Sequence, residues 1–490
     1  MKQKLSMLAI GLSLVGMIST PVFAASSDQQ QVGTSQTKKH KKVSHHKKAQ
    51  VVATPAATDD SNSLMYLPMD ISVPGKSFVS SGPYIGIPLQ YSGTNLIINA
   101  PSVNQDVALL KVRKGIDSRL ESLGIEQTPS TTHLLLSGIV EGQAMVSRGN
   151  GQPTSSDINL TSAGLDAYIL GPGQWLSSLI AFSYDDNSGT TSGSYASNLR
   201  TQNSRVYISQ AFVTIGNLAK TPFYGTFGQL TVPFGTYSSN MIATPLTKAM
   251  FATKERAIVL GYRPQMDNAP YAAAYIFKGD SHVGVNTSKI NNGGINLGYQ
   301  FVRDTVKGDI GGGVIANVSD SVGMQNIGNS ATYFNGFGGT NGTGNETIIH
   351  RVPGYDLRAL LSVGEHVDLL AEYIFTTKTF SHADLTMKNH GAKPRALDAE
   401  AAYSFAAFSH PSSVAVGYGM TQDALALGLP SERYSFVFNT SIWRDTLQSI
   451  EFRHEINYAA SATASGSGVA AAPSSGRSND VVTAQFDVYF

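Results

Sequence analysis

Acidic and basic side chains recur at two-residue spacing in the second half of the chain. This spacing places several of them on one face of a strand, where they could act together. Paired carboxylates can act as general acid and base or bind cations, and carboxylate–guanidinium pairs can brace a wall or bias ion passage. Nine positions form this charged set: Asp356, Arg358, Asp368, Glu372, Asp398, Glu400, Glu451, Arg453 and Glu455. Because acids occur in many separate segments, no catalytic pair is favoured, and a network of ion pairs is the simpler interpretation.

The sequence lacks the motifs of common catalytic and cofactor sites. It contains no cysteine, which excludes disulfides and thiolate metal ligands. No nucleophile elbow, phosphate loop or HExxH zinc motif occurs, and the glycine-rich stretch Gly338–Asn345 lacks the flanking strand and helix of a phosphate cradle. His40, His45 and His46 have no nearby acidic partner for a metal. We therefore predict no enzymatic activity, metal or cofactor.

The charged set lies on segments in which apolar and polar residues alternate, as in β-strands with one apolar face. Such segments begin near His133 and continue to the end of the chain, separated alternately by short turns and longer polar connections. Seven short turns and eight long connections predict about 16 antiparallel strands. The pattern is typical of an all-β, up-and-down transmembrane β-barrel over residues 131–490, with a polar interior that the charged set lines.

The last strand, VVTAQFDVYF, provides a second argument for a membrane barrel. Phe486, Val488 and Phe490 lie on one apolar face, and polar side chains occupy the other. In a closed barrel the last strand pairs with the first, so its apolar face meets lipid and the terminus does not fray. These three residues resemble the C-terminal signal that the barrel-assembly machinery reads in bacterial outer-membrane proteins.

The segments before the barrel predict export. Lys2 and Lys4 precede an apolar run ending in Val22-Phe23-Ala24, the pattern of a secretory signal peptide over residues 1–24. Residues 25–62 form a Lys/His-rich spacer that we expect to be disordered. We therefore predict the outer membrane of a Gram-negative bacterium as the location, with the N-terminal segment in the periplasm.

Residues 63–130 form a periplasmic segment with one amphipathic helix. Ser102 and Gln105 make a capping box, and apolar residues follow at helical spacing, which predicts a helix over about 102–123. Its apolar stripe needs a partner, either the barrel or a second copy, so an oligomer stays open. The net charge of +1 gives no sign of nucleic-acid binding. Outer-membrane lipid and lipopolysaccharide are the expected surroundings.

Several stretches carry a resemblance to a known family. The strand ending in GQLTVPFG is similar to strands of phosphate-selective and related porins, and ATPLTKAMFATKERA resembles the external loop that folds over such pores. With FVSSGPYIGIPLQYSG before the barrel and LQSIEFRHEINY near its end, the chain resembles the siderophore porins of Legionella- and Francisella-type bacteria, the LbtU/FslE kind. The resemblance covers most of residues 75–490. It implies uptake of ferric siderophore through a barrel without a globular plug, and it assigns no binding residues.

Two hypotheses about function follow. The first is uptake of a ferric siderophore or similar iron chelate, selected by the external loops. Tyr333, Phe334 and Phe337 in the longest loop are candidate aromatic contacts, although ordinary loop packing or a lipid-interface position is the favoured interpretation.

The second hypothesis is a general or weakly ion-selective porin for small solutes. Lys248, Lys254 and Arg256, with Glu255, give the predicted pore loop a modest positive excess. This excess is compatible with either function. A barrel enzyme has no catalytic constellation in its favour, and a structural role that tethers the barrel to another envelope component stays open.

Overall fold

The computed structural model describes residues 77–81, 103–122, 132–185, 205–285, 289–325, 333–338, 346–443, 446–467 and 469–489 of the 490-residue chain. The predicted signal peptide and spacer, most of the glycine-rich stretch, and Phe490 lie outside the described residues.

Sixteen antiparallel strands form a closed barrel, as the alternating pattern predicted. Every barrel strand pairs with its neighbours along the chain, and the last pairs with the first, so the sheet has no free edge. The strands are β1 Thr132–Gly149, β2 Ser155–Leu170, β3 Leu176–Asp185, β4 Arg205–Gly216, β5 Phe223–Thr231, β6 Lys254–Tyr262, β7 Ala269–Phe277, β8 Asn292–Arg303, β9 Val306–Ile315, β10 Gly354–Val363, β11 Val367–Thr376, β12 Arg395–Ala407, β13 His410–Gln422, β14 Glu432–Thr440, β15 Thr446–Ile456 and β16 Ser478–Tyr489.

The connections differ at the two ends of the barrel. Seven short turns lie at one end, which we call the short-turn end, and eight connections, most of them longer, lie at the other, the long-loop end. In the two-residue turn between β12 and β13, Phe408 and Ser409 adopt φ values of 51° and 66°. That left-handed backbone reverses the chain in two residues. The predicted alternation of short and long connections is therefore confirmed.

The outer surface of the barrel is an apolar band with aromatic pairs at both ends. Leu260 and Leu357 are 65% and 58% exposed on this face. The rings of Phe223 and Tyr262 lie 5.2 Å apart near the short-turn end. Tyr418 and Tyr434 make a similar pair at 5.2 Å near the long-loop end. An apolar band between aromatic girdles fits a surface surrounded by lipid.

Helices and short strands complete the described structure. The predicted amphipathic helix is observed as α1, Gln105–Ser122, and the strand Ser77–Ser81 pairs in parallel with the start of β1. None of the described helices has the length and apolarity to cross a membrane. The remaining elements are α2 Leu246–Phe251, α3 Val322–Gln325, the 3₁₀ helices Pro172–Gln174, Val318–Asp320 and Leu425–Leu427, and the loop strands His282–Val283, Thr347–Ile348, Leu385–Met387, His390–Gly391, Thr463–Gly466 and Ala472–Pro473.

The long loops pack against one another into what we call the loop cap, the described loop residues of 316–353, 377–394, 423–431 and 457–477. Its core contains Phe334, Phe337 and Phe380, with ring centroids of successive pairs 4.9 and 5.7 Å apart. Two buried acids join the loops. Asp320 accepts hydrogen bonds from the backbone N–H of Ser281 (2.7 Å) and the amide of Asn292 (2.6 Å), and Asp384 accepts one from Ile349 N–H (3.0 Å). Burial raises the pKa of both carboxyls.

Candidate functional site

The connection between β5 and β6, Val232–Thr253, folds into the barrel, and we call it the constriction loop. Its neck is closed by a hydrogen bond from Val232 N–H to Thr253 O at 3.0 Å. Gly235 turns the chain with φ 78°, and a Cβ there would lie 2.5 Å from the Tyr237 ring. From this turn the loop runs along the inner faces of β11, β12, β14 and β15. It therefore narrows the lumen from the side opposite its own strands.

Inward-facing carboxylates of the wall hold the constriction loop in place. Glu372 on β11 accepts hydrogen bonds from the backbone N–H groups of Thr236 and Tyr237 and, at 2.8 Å, from the Thr247 hydroxyl. Asp398 on β12 accepts the Thr247 N–H at 2.7 Å. A carboxylate is an acceptor only, so it can satisfy several backbone donors of a loop that has no sheet to pair with.

Two further acids extend this arrangement along the loop. Glu400 accepts hydrogen bonds from Asn240 N–H at 2.8 Å and from the Ser239 hydroxyl. Glu451 on β15 accepts the N–H groups of Ile242 and Ala243, the latter at 3.0 Å. We call Glu372, Asp398, Glu400 and Glu451 the acidic clasp.

The other members of the charged set also lie on the inner face, where they bind one another or the wall. Asp356 and Arg358 form an ion pair whose side chains are 0% exposed. Asp368 accepts a hydrogen bond from the Ser362 hydroxyl at 2.6 Å. Glu455 is 3.1 Å from Arg453 and 2.9 Å from Arg433. The predicted ion-pair network thus accounts for part of the set, while the acidic clasp has a different role that the sequence did not indicate.

Helix α1 begins inside the barrel and packs against the inner wall of β2–β5. The Tyr168 hydroxyl donates to Leu109 O at 2.8 Å, and the Thr226 hydroxyl donates to Asp106 at 2.8 Å. Arg113 donates to the carbonyls of Gly171 and Leu176 at the short-turn end, at 3.2 and 2.5 Å. This wall is apolar beneath the helix, so the barrel itself is the partner of the apolar stripe: Tyr168, Leu179, Phe212 and Tyr224.

Polar residues of the seam where the barrel closes lie near the constriction loop. Lys248, half-exposed on α2, is close enough to Glu141 on β1 for their charges to interact. Beside Glu141, the Gln143 amide donates to Gln485 of β16 at 2.6 Å, and the Gln485 amide donates to Asp487 at 3.0 Å. The alternation of β1 and β16 could have indicated these seam residues, because they share the polar face of their strands. The interaction with Lys248 was not predictable, since it depends on the fold of the loop.

The aromatic candidates of the longest loop do not face a solute. Phe334 and Phe337 are both 0% exposed in the core of the loop cap, so the hypothesis that they contact a ligand is wrong. Tyr333 is half-buried, and its hydroxyl donates to Pro473 O at 3.0 Å. Aromatic residues in a polar loop read like binding residues, but here they are needed to pack the loops together.

The remaining candidates also have definite places. Arg256 is exposed on the outer face of β6, next to Ile258, so its predicted place on the pore loop is wrong. Lys254 is the first residue of β6 and is half-buried. Phe486 and Val488, each 38% exposed, lie on the outer face of β16, and the Phe486 ring is 6.0 Å from that of Trp443. Within the described residues, no group of three or more His, Asp or Glu side chains could hold a metal.

Comparison with known proteins gives close sequence relatives and more distant structural ones. A UPF0422 protein of Coxiella burnetii is 37% identical over 418 residues, 84% of this chain and 84% of that protein. UPF0422 proteins of Legionella pneumophila strains Lens and Paris are 37% identical over 427 residues, 84% of this chain and 76% of theirs. No family model matches the chain.

Among solved structures, the chain is similar to an anion-selective porin from Comamonas acidovorans, with a TM-score of 0.47 and 11% identity, covering 73% of this chain and 100% of that one. It is also similar to the outer membrane channel DcaP of Acinetobacter baumannii, with a TM-score of 0.43 and 12% identity, covering 74% of this chain and 99% of that one.

Proposed function

We propose that this chain, which belongs to the UPF0422 protein family, is an outer-membrane channel for small hydrophilic solutes. One observation carries the proposal: inside a closed barrel with an apolar outer band, the constriction loop is held against the wall by the acidic clasp. The described residues show no arrangement typical of an enzyme active site. Barrels of about this size enclose an aqueous passage, and a loop held against the wall sets its width.

The proposed orientation follows the usual asymmetry of such barrels. Short turns face the periplasm and long loops face outside, which would place the loop cap outside and the start of α1 within the lumen above the periplasm. Lipopolysaccharide, other membrane lipids and the barrel-assembly machinery are the partners that this placement implies. An oligomer is compatible with it.

The charges along the proposed passage beside the constriction loop support weak ion selectivity. Four acids, the acidic clasp, are occupied by backbone donors of the constriction loop, so they contribute less to the field in the opening than their number suggests. Beside the constriction loop, Lys248 is close enough to Glu141 and to Lys254 for their charges to interact. Opposed charges of this kind filter ions weakly.

Planar-bilayer recording of the purified, full-length protein tests the channel directly. We expect discrete current steps in potassium chloride, with a small preference between cations and anions. Liposome swelling with sugars of increasing size would then give the exclusion limit. If refolded protein that shows the heat-dependent gel shift of a folded barrel inserts but conducts no ions and passes no sugar, the proposal fails.

Uptake of ferric siderophore is the second candidate. It is supported by the sequence resemblance, and by the occupation of the lumen by one helix and one loop, with no globular plug among the described residues. Buried Phe334 and Phe337 cannot contribute contacts, so selection would fall to other residues of the loop cap.

The decisive experiment is uptake of radiolabelled iron on the native siderophore by iron-starved cells with and without the gene, with sugar influx as the control. Loss of iron uptake with unchanged sugar influx would support siderophore selectivity. Unchanged iron uptake with reduced sugar influx would leave the general channel.

A further inference from the structure

The outer face of β4–β7 carries an apolar groove directly below the long-loop end. The groove has a volume of about 540 Å³. Its apolar walls are exposed, and no part of the described chain covers them: Phe227 (53%), Ile258 (48%), Ile276 (47%) and Ile290 (62%). Ala211, Gly228 and Ala257 also line the groove. A groove of this kind on a lipid-facing surface can receive an acyl chain without displacing any protein side chain.

Basic side chains stand at the upper edge of this groove. Arg256 and Lys278 are part of its lining and are exposed, and Lys289 is exposed next to Ile290. No ion pair involves these three side chains within the described residues. They are therefore free to bind an anion that comes from outside the protein.

Acidic neighbours reduce this charge but do not cancel it. Glu255 interacts with Arg256, Asp280 and Asp320, so three acids lie near the cluster. Glu255 occupies an inward position on β6, next to the buried Ala257, whereas Arg256 points outward. With Lys254 included, four basic residues stand against three acidic ones, of which Asp320 is buried.

We infer that this groove binds lipid A, the phosphorylated and acylated disaccharide of lipopolysaccharide. Its phosphates would lie against Arg256 and Lys278, and one of its acyl chains would lie in the groove below. The inference rests on the proposed outer-membrane orientation, in which the long-loop end faces the outer leaflet. Guanidinium and ammonium groups bind phosphate strongly, Arg with two parallel hydrogen bonds.

Charge distribution favours lipid A over a phospholipid. The cations are spread over the start of β6 and both ends of the β7–β8 connection, which suits a headgroup with two separated phosphates better than one with a single phosphate. On β13–β14 at the same end, the outward side chains are Tyr418 and Tyr434, and the Tyr434 hydroxyl donates to Glu432 at 2.8 Å. The Glu432 carboxylate would repel a phosphate, so that surface is a poorer site for lipid A than the groove.

Binding of purified lipid A to the full-length protein in detergent, measured by native mass spectrometry, tests the site. We expect the triple variant Arg256→Gln, Lys278→Gln, Lys289→Gln to bind bisphosphorylated lipid A about tenfold more weakly or worse, because several charged hydrogen bonds are lost. The matched control replaces two exposed basic residues at the short-turn end, Lys220→Gln and Arg303→Gln, and should bind as the wild type does.

Two further probes separate the parts of the site. Dephosphorylated lipid A should bind the wild type as weakly as the triple variant binds lipid A. Ile276→Trp, which fills the groove and leaves the cations in place, should weaken acylated lipid A and leave binding of the deacylated, phosphorylated disaccharide unchanged.

The inference is overturned if the triple variant binds lipid A like the wild type, or if phosphatidylglycerol competes as well as lipid A does. Because the groove lies on the outside of the barrel, the triple variant should conduct ions normally. Loss of lipid A binding with normal conductance therefore supports the site independently, whereas absence of conductance in the wild type would contradict the channel proposal and not the binding site.

Discussion

At the scale of single residues, Glu372 is the acid of the clasp whose contacts span the constriction loop from Thr236 to Thr247. Glu372→Gln replaces one carboxylate oxygen with an amide N–H₂ group. This group cannot accept the hydrogen bonds that the backbone N–H groups of the loop donate. Each buried donor left unsatisfied costs about 1–3 kcal/mol. We expect the loop to loosen, and single-channel recordings to show larger and noisier open-state currents. Glu365→Gln, on an exposed short turn, is the control, and equal currents in both variants would contradict the role of the clasp.

Arg358 makes a different prediction, because its charge is paired inside the wall. It binds Asp356 and also donates to the Tyr271 hydroxyl at 3.1 Å. Arg358→Leu leaves Asp356 buried without its partner, and breaking a buried pair in this way costs about 3–5 kcal/mol. We expect the temperature of the heat-dependent gel shift to fall. The double variant Arg358→Leu, Asp356→Leu should recover much of that loss, and no recovery would mean that shape and not charge explains the defect.

The sequence predicted on which face these charges lie but not what they bind. Strand residues alternate strictly between two faces, so Asp356, Glu372 and Glu451 could be assigned inward from spacing alone. Their partners lie far away in the chain: Glu451 binds the N–H of Ala243. Nothing local in either stretch encodes that contact. For the same reason the sequence could not specify how Phe337 packs, because its buried partner Phe380 belongs to another loop.

At the scale of elements, α1 is held by hydrogen bonds in its first turn and at Arg113 near its middle, and its release should widen the lumen. Arg113→Met removes the hydrogen bonds to Gly171 and Leu176 at the short-turn end. A helix with its side chains is roughly 10 Å across. If the helix leaves the lumen, we expect conductance to rise about twofold. When the helix returns, the conductance should fall back to the wild-type level for a time. Lys114→Met changes the adjacent exposed residue and is the matched control. A stable Arg113→Met protein with wild-type currents would show that the helix does not limit flow.

Strands, turns and helix boundaries were predictable because their sequence signals are local. The position of α1 was not, because it depends on contacts with distant parts of the chain. Two-residue periodicity and turn residues are local signals, and α1 begins within three residues of the expected start at 102. The apolar stripe containing Leu109 and Val112 specified only that the helix needs a partner. The partner turned out to be the inner wall, because β2–β5 replace polar lumen residues with Tyr168, Leu179 and Phe212. That substitution is visible in the strands only once their inward face is known.

At the scale of the whole molecule, a solute would pass the loop cap, the opening beside the constriction loop and then α1. The charges of the middle level should decide ion selectivity, because Lys248 and Glu141 lie close enough there for their charges to interact. Lys248→Glu makes both acidic. We expect the permeability ratio of potassium to chloride to rise about fivefold, which corresponds to an electrostatic change of about 1 kcal/mol.

Reversal potentials across a potassium chloride gradient measure this ratio, with Lys220→Glu on an exposed turn as the control. The charge-swapped double variant Lys248→Glu, Glu141→Lys should return the ratio close to the wild-type value, since it restores one charge of each sign across the opening. If Lys248→Glu leaves the reversal potential unchanged while the protein conducts normally, ions do not pass between these two residues. The path would then have to run along the other side of the constriction loop, where the acidic clasp is already occupied by backbone donors.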